Sequence, residues 1–122
     1  MKLPNAERAF VDIRKLRDYC LDPASPKGRS KARVFLAALG LAQRDASFLR
    51  QALFEAAHKQ PCVPGEADEY GQRYTVDFTL QTAVGRQRAR SGWIVRHDED
   101  FPRLTTCFVL KSKRAEHESQ ND

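Results

Sequence analysis

From Arg73 to Leu80 the side chains alternate strictly. Tyr74, Val76, Phe78 and Leu80 are apolar, while Arg73, Thr75, Asp77 and Thr79 are polar. A period of two belongs to a strand with one buried face. Ala83-Val84-Gly85 reads as a turn, followed by a second strand over about Arg86 to Arg96 and a third over about Arg103 to Leu110. If Thr82 pairs with Gly85, Tyr74 faces Trp93, Val76 faces Ser91 and Phe78 faces Ala89. Thr79 then meets Arg88 and Asp77 meets Arg90 on the other side. A one-residue slip would mix the two sets, so the apolar pattern pins the register.

Before Pro61 the period is helical. Asp12 is an N-cap candidate, because its carboxylate can accept from first-turn amides, and Ile13, Leu16, Tyr19 and Cys20 follow at helical spacing. Asp22-Pro23 ends that helix, and Pro23 to Arg29 is a loop. Ser30 caps a predicted second helix with Ala32, Phe35 and Leu39 on one face, Val34 and Ala38 alongside, and Gly40 as its C′ residue. Asp45 caps a third, with Phe48, Leu49, Ala52, Leu53 and Ala56 buried. Pro4 to Val11 reads as irregular and Cys62 to Gly71 as a connecting loop. The sequence therefore predicts an α+β class: about three N-terminal helices packed on one face of a C-terminal antiparallel β-meander of three or more strands. One domain is expected over 1–110, with a polar, disordered tail over 111–122. The third strand is expected at an edge, open to a partner's strand.

Composition narrows the class. With 122 residues, 41% hydrophobic and 30% charged, the chain suits one globular domain. Met1 to Asn5 lacks the apolar core of a signal peptide and no bilayer-length apolar run follows, so a cytoplasmic protein without membrane contact is expected. Cys20, Cys62 and Cys107 are odd in number and far apart, which argues against a disulfide framework and a metal site. Cys20 and Cys107 read as core residues, and no metal or cofactor is expected.

The charge of +5 is concentrated. Arg86, Arg88, Arg90 and Arg96 share one parity of the second strand, with Arg73 beside them and Arg103 on the third. Guanidinium groups about 7 Å apart suit phosphate oxygens, though a solvated sheet face with Arg90 neutralised by Asp77 gives the same pattern. Lys27, Arg29, Lys31 and Arg33 bracket the start of the second helix, where acids are the rule. That is either an anion site or a soluble surface.

Leu16-Arg17-Asp18-Tyr19 with Leu21, then Pro26, Gly28, Lys31-Ala32-Arg33-Val34-Phe35 and Leu39-Gly40, resemble an uncharacterised bacterial domain-of-unknown-function family. So do Tyr74-Thr75-Val76-Asp77, Trp93-Ile94-Val95 and Pro102-Arg103-Leu104-Thr105-Thr106. The resemblance implies a toxin–antitoxin or effector–immunity setting, with a small cognate antitoxin or neighbouring-gene protein as partner. Helices followed by a meander also resemble the barnase–EndoU–colicin–RelE group of metal-independent ribonucleases. Leu104-Thr105-Thr106-Cys107-Phe108 is similar to that group's closing strand, and Ser30 stands where family members often carry histidine.

On that resemblance the expected activity is RNA cleavage, with Lys31, Arg33, Arg88, Arg90 and Thr106 as catalytic candidates. Lys27, Arg29, Arg73, Arg86, Arg96 and Arg103 would add nucleic-acid contacts. The proton-transfer roles are poorly filled. His58 lies at a helix end, His97 in the acidic turn and His117 in the tail, and Arg90 should hold Asp77 ionised. Two alternatives stay open: a non-catalytic protein-binding partner using the same stripe, and an RNA-binding module without cleavage. Trp93 and Tyr74 lie on the apolar parity and read as core rather than as a stacking platform.

Overall fold

The computed structural model describes residues 1–110, and the expected tail over 111–122 lies outside them. Asp12 begins α1 (Ile13–Lys15) as its spacing predicts, its Oδ1 accepting the Arg14 amide at 3.0 Å. The helix widens at once into a π turn over Leu16–Cys20, closed by the Leu21 amide on the Leu16 carbonyl at 2.8 Å. The wider turn buries both Leu16 and Cys20.

The next helix, α2 (Arg29–Leu39), starts from Gly28 rather than Ser30, which lies inside it. Tyr19 is the reason. A Cβ at Gly28 would stand 1.9 Å from the Tyr19 carbonyl oxygen, so only glycine lets the two segments touch. Ala32, Phe35 and Leu39 are buried, whereas Val34 is exposed. Gly40 ends the helix at φ 68°, and the Leu41 amide reaches the Phe35 carbonyl at 3.1 Å, a closing bond that favours glycine.

Helix α3 (Ala46–Lys59) follows a 3₁₀ turn over Gln43–Asp45. Asp45 does not cap α3 through its side chain. Its Oδ2 turns back to the Ala42 amide at 2.9 Å and closes the preceding turn. Leu49, Leu53 and Ala56 are buried as expected, but Phe48 is 48% exposed. Ala46, Leu49, Leu53, Ala56 and Ala57 form the inward stripe, and Phe48 falls about one residue's rotation outside it.

Four antiparallel strands follow in spatial order β1-β2-β3-β4: β1 (Cys62–Asp68), β2 (Gly71–Gln81), β3 (Arg86–Arg96) and β4 (Arg103–Val109). The class is thus α+β, with three helices on the antiparallel sheet. The β2–β3 register matches the sequence expectation at Tyr74–Trp93, Val76–Ser91, Asp77–Arg90, Phe78–Ala89 and Thr79–Arg88.

Strand β1 corrects the loop expected over Cys62 to Gly71. Only Cys62 of that strand is buried, so it lacks alternation, and Pro64 sits beside a register shift between Pro64 and Ala67. Proline is tolerated there because β1 is an edge. Asp68 Oδ1 accepts the amides of Tyr70 at 2.8 Å and Gly71 at 3.2 Å, which turns the chain into β2.

One sheet face carries Val76, Phe78, Leu80, Ala89, Trp93, Leu104 and Cys107 and packs on Leu16, Phe35, Leu39, Leu49 and Leu53. Ser91 is buried among them. Its Oγ donates to the Val76 carbonyl at 2.8 Å and accepts Trp93 Nε1–H at 2.9 Å. Trp93 is therefore core, and Tyr74 packs against that cluster. Cys20, Cys62 and Cys107 are free and buried, and desolvation pushes the Cys107 thiol well up.

Residues 1–10 form a strap across both ends of the sheet. The Met1 carbonyl accepts the Cys62 amide at 2.6 Å, and Lys2 bridges Pro61. Arg8 pairs with Asp100 at 3.1 Å. The Phe10 amide donates to the Pro102 carbonyl at 2.8 Å, and its carbonyl accepts the Leu104 amide at 3.0 Å. Strand β4 is an edge, but Phe10 occupies its first residues.

Candidate nucleic-acid interface

The sheet face away from the helices is polar because the register that buries Val76, Phe78 and Ala89 turns Asp77, Thr79, Arg88 and Arg90 outward. Arg90 is committed within that face. Its Nε lies 2.8 Å from Asp77 Oδ1 and its Nη2 3.0 Å from Oδ2. Those bonds lower the Asp77 pKa, and the Arg88 charge lowers it further.

Arg88 is different. Its Nη1 donates to the neutral Thr79 Oγ1 at 3.0 Å, and it has no carboxylate partner among the described residues. A guanidinium has five N–H donors, so most of its capacity stays open to an incoming anion. Arg86, paired with Gln81 across the hairpin, is exposed and continues the stripe.

Two hollows meet at Arg88. One of about 410 Å³ lies over β2, with Thr75 and Asp77 as floor, Val63 on one side and Arg88 and Arg90 on the other. Gln60 and Pro61 complete its rim. The second, of about 190 Å³, lies at the edge of β2 beyond the end of its β1 pairing, where Glu55 and Lys59 of α3 come round to Thr79 and Arg88. Gln60 and Arg88 line both.

The remaining sequence candidates divide by face. Lys31 Nζ donates to Tyr19 Oη at 3.0 Å and lies 5.1 Å from that ring, on the helical layer. Lys27, Arg29 and Arg33 are exposed around the same helix start. Arg33 lines a separate groove of about 250 Å³ with Leu21, Leu36, Leu41 and Arg44. Lys31 and Arg33 thus line neither of the hollows that meet at Arg88.

Arg73 pairs with Asp68 at 3.0 Å. Arg103 forks onto Glu99 at 2.7 and 2.6 Å and lies about 5 Å from the rings of Phe10 and Phe101, so it clamps the strap. Arg96 is exposed, at the end of the sheet opposite Arg86. Thr106 sits across from Gly92, its buried Oγ1 without a hydrogen-bond partner, and it lines neither hollow.

Sequence reasoning missed Glu55, Lys59, Gln60, Pro61 and Val63, all at the α3–β1 junction. The available signal was the Asp68-to-Gly71 turn, which marks a hairpin and so a strand before it. Asp77, the one acid among the described residues lining the large hollow, is held ionised by Arg90. His97 Nε2 lies 2.8 Å from the Asp68 carbonyl oxygen, away from both hollows. Among the described residues no cluster fit to hold a metal occurs, and no helix is long and apolar enough to cross a membrane.

The family profile described as Domain of unknown function (DUF6883) matches residues 2–111. No curated protein matches the chain.

Proposed function

The chain belongs to the family described as Domain of unknown function (DUF6883), whose description carries no activity, and from its own geometry we propose that it binds RNA through the outer face of its sheet without cleaving it. The observation that carries this reading is Arg88, an arginine with no acidic partner among the described residues, at the wall of a hollow of about 410 Å³. Arg86 extends the positive track, and Lys59 adds a cation across the smaller hollow. Phosphate contacts of this kind are sequence-tolerant and strongly dependent on salt.

The ribonuclease activity implied by the resemblance needs a base for the 2′-hydroxyl and an acid for the leaving oxygen. The face offers cations for the phosphate, while Asp77 is paired and His58 and His97 line neither hollow. Binding is what these residues support. A toxin–antitoxin setting is compatible with it, the face then serving RNA and a cognate protein covering it.

The test is the affinity of the purified chain for a labelled single-stranded RNA over a salt series, beside the Arg88→Ala/Arg90→Ala variant. Binding that weakens with salt by a log–log slope of about 0.7 per phosphate contact, with intact RNA and a much weaker variant, supports the reading. RNA fragments produced by the parent and not by the variant would replace it with the nuclease. No affinity for RNA, with a salt-sensitive complex to an acidic protein, would replace it with the protein-partner role.

A further inference from the structure

We infer that the ridge formed by Arg88 and Gln60 between the two hollows takes a diribonucleotide unit, its bridging phosphodiester on Arg88 and one nucleoside on each side. This rests on the RNA-binding reading and specifies what that reading binds.

The charge pattern sorts the parts of a nucleotide. Each hollow sets one carboxylate beside one cation, Asp77 with Arg90 in the larger and Glu55 with Lys59 in the smaller, and the shared wall carries Arg88, which has no carboxylate partner among the described residues. A carboxylate repels phosphate and accepts hydrogen bonds from hydroxyl or amino groups. Phosphate is thereby directed to the ridge, and the neutral sugar and base to the hollows. Asp77 keeps acceptor capacity after serving Arg90, since an ionised carboxylate offers about four lone-pair sites.

Three further features fit a single strand. The two hollows receive nucleosides one at a time, whereas a duplex keeps its bases paired inside. The larger hollow has Pro61 and Val63 on its rim, apolar surface that packs on any base without reading its edge. Lys59 lines the smaller hollow with Glu55 and offsets its charge, so a neutral nucleoside of a flexible strand is not opposed there. The donor that separates RNA from DNA is the 2′-hydroxyl, and two acceptor carboxylates beside one phosphate site recognise it.

Fluorescence anisotropy with a labelled uridine octanucleotide and its deoxyuridine counterpart tests this on the parent, Glu55→Ala and Arg88→Ala, each first matched to the parent by far-UV circular dichroism. The parent should prefer the ribo strand by roughly tenfold, the value of one charge-assisted hydrogen bond. Glu55→Ala should bring the two strands close to parity, and Arg88→Ala should weaken both. Equal binding of ribo and deoxy strands by the parent overturns the inference and leaves the RNA-binding reading standing. So does a Glu55→Ala variant that tightens both strands by the same factor, which is relief of repulsion alone. Failure of the parent to bind either strand removes the underlying reading.

Discussion

Ser91→Ala deletes one oxygen from the centre of the core. In the folded chain Ser91 has no exposed surface, and its hydroxyl links Trp93 Nε1 at 2.9 Å to the Val76 carbonyl at 2.8 Å. Alanine leaves the indole N–H without an acceptor in a site that is 1% exposed. A buried donor left unpaired costs about 1–3 kcal/mol. The Val76 carbonyl loses one of its two acceptor positions, a smaller penalty because a carbonyl has a second lone pair. The expected loss is about 2–3 kcal/mol. At about 2 kcal/mol per molar urea this moves the unfolding midpoint down by roughly 1 M. Trp93 is the single tryptophan, so its own emission reports the transition. A double-mutant cycle with Trp93→Phe, followed by far-UV circular dichroism, isolates the pair and should return a coupling of about 1 kcal/mol or more. A midpoint unchanged by Ser91→Ala would refute the reasoning, since it would mean that the indole N–H finds another acceptor.

Three further outcomes follow from the same structure. Thr106→Val should raise stability by about 1 kcal/mol, because it removes a buried hydroxyl that has no partner, and it should leave RNA affinity unchanged; lost affinity would return Thr106 to the binding site. Gly40→Ala should cost about 1–2 kcal/mol, read as a lowered Tm, because φ is 68° there and the new Cβ would approach Val84 Cγ2 at 2.6 Å. Acid titration should show stability held above about pH 5 and lost below it. Asp12, Asp18, Asp68, Asp77 and Glu99 have folded pKa values lowered chiefly by arginine side-chain bonds, Asp12 to about 2, so their contribution is complete above the unfolded range and disappears as pH falls through the folded values. Urea midpoints from pH 7 down to 2 check the sign, and stability that rises on acidification would contradict it.

The β2–β3 hairpin could be read from the sequence residue by residue, because strict alternation and a single glycine turn admit one register. Strand β1 could not. It is an edge with both faces largely exposed and a proline inside, so no apolar period marks it. That omission hid one side of the larger hollow, since Val63 comes from this strand. Helix content was legible for the same reason as β2, as were the Asp12 and Asp45 starts of α1 and α3, but α2 starts at Gly28 against Tyr19 and Asp45 turns its carboxylate to Ala42 instead of capping α3. Sequence reasoning grouped Lys31 and Arg33 with Arg88 and Arg90, whereas Arg33 lines a groove apart from the hollows at Arg88. Parity tells which side of a strand a residue occupies, but the side of the sheet on which a helix settles depends on packing between elements far apart in the chain.

The strap over residues 1–10 has a consequence for how the molecule is made. Asn5 and Asp100 are joined although 95 residues separate them, and Phe10 bonds to Pro102 and Leu104. Residues 5–10 leave the ribosome well before residues 100–104, so the Asn5 side chain and the Phe10 amide wait for the start of β4 before they find their partners. Until then Leu3 and Val11, both buried in the finished core, stay accessible to chaperones and proteases. The Met1 end of the strap can be held at Cys62 before β4 exists, so completion of β4 supplies the second anchor, at Phe10, which a nascent chain stopped before Arg103 would lack.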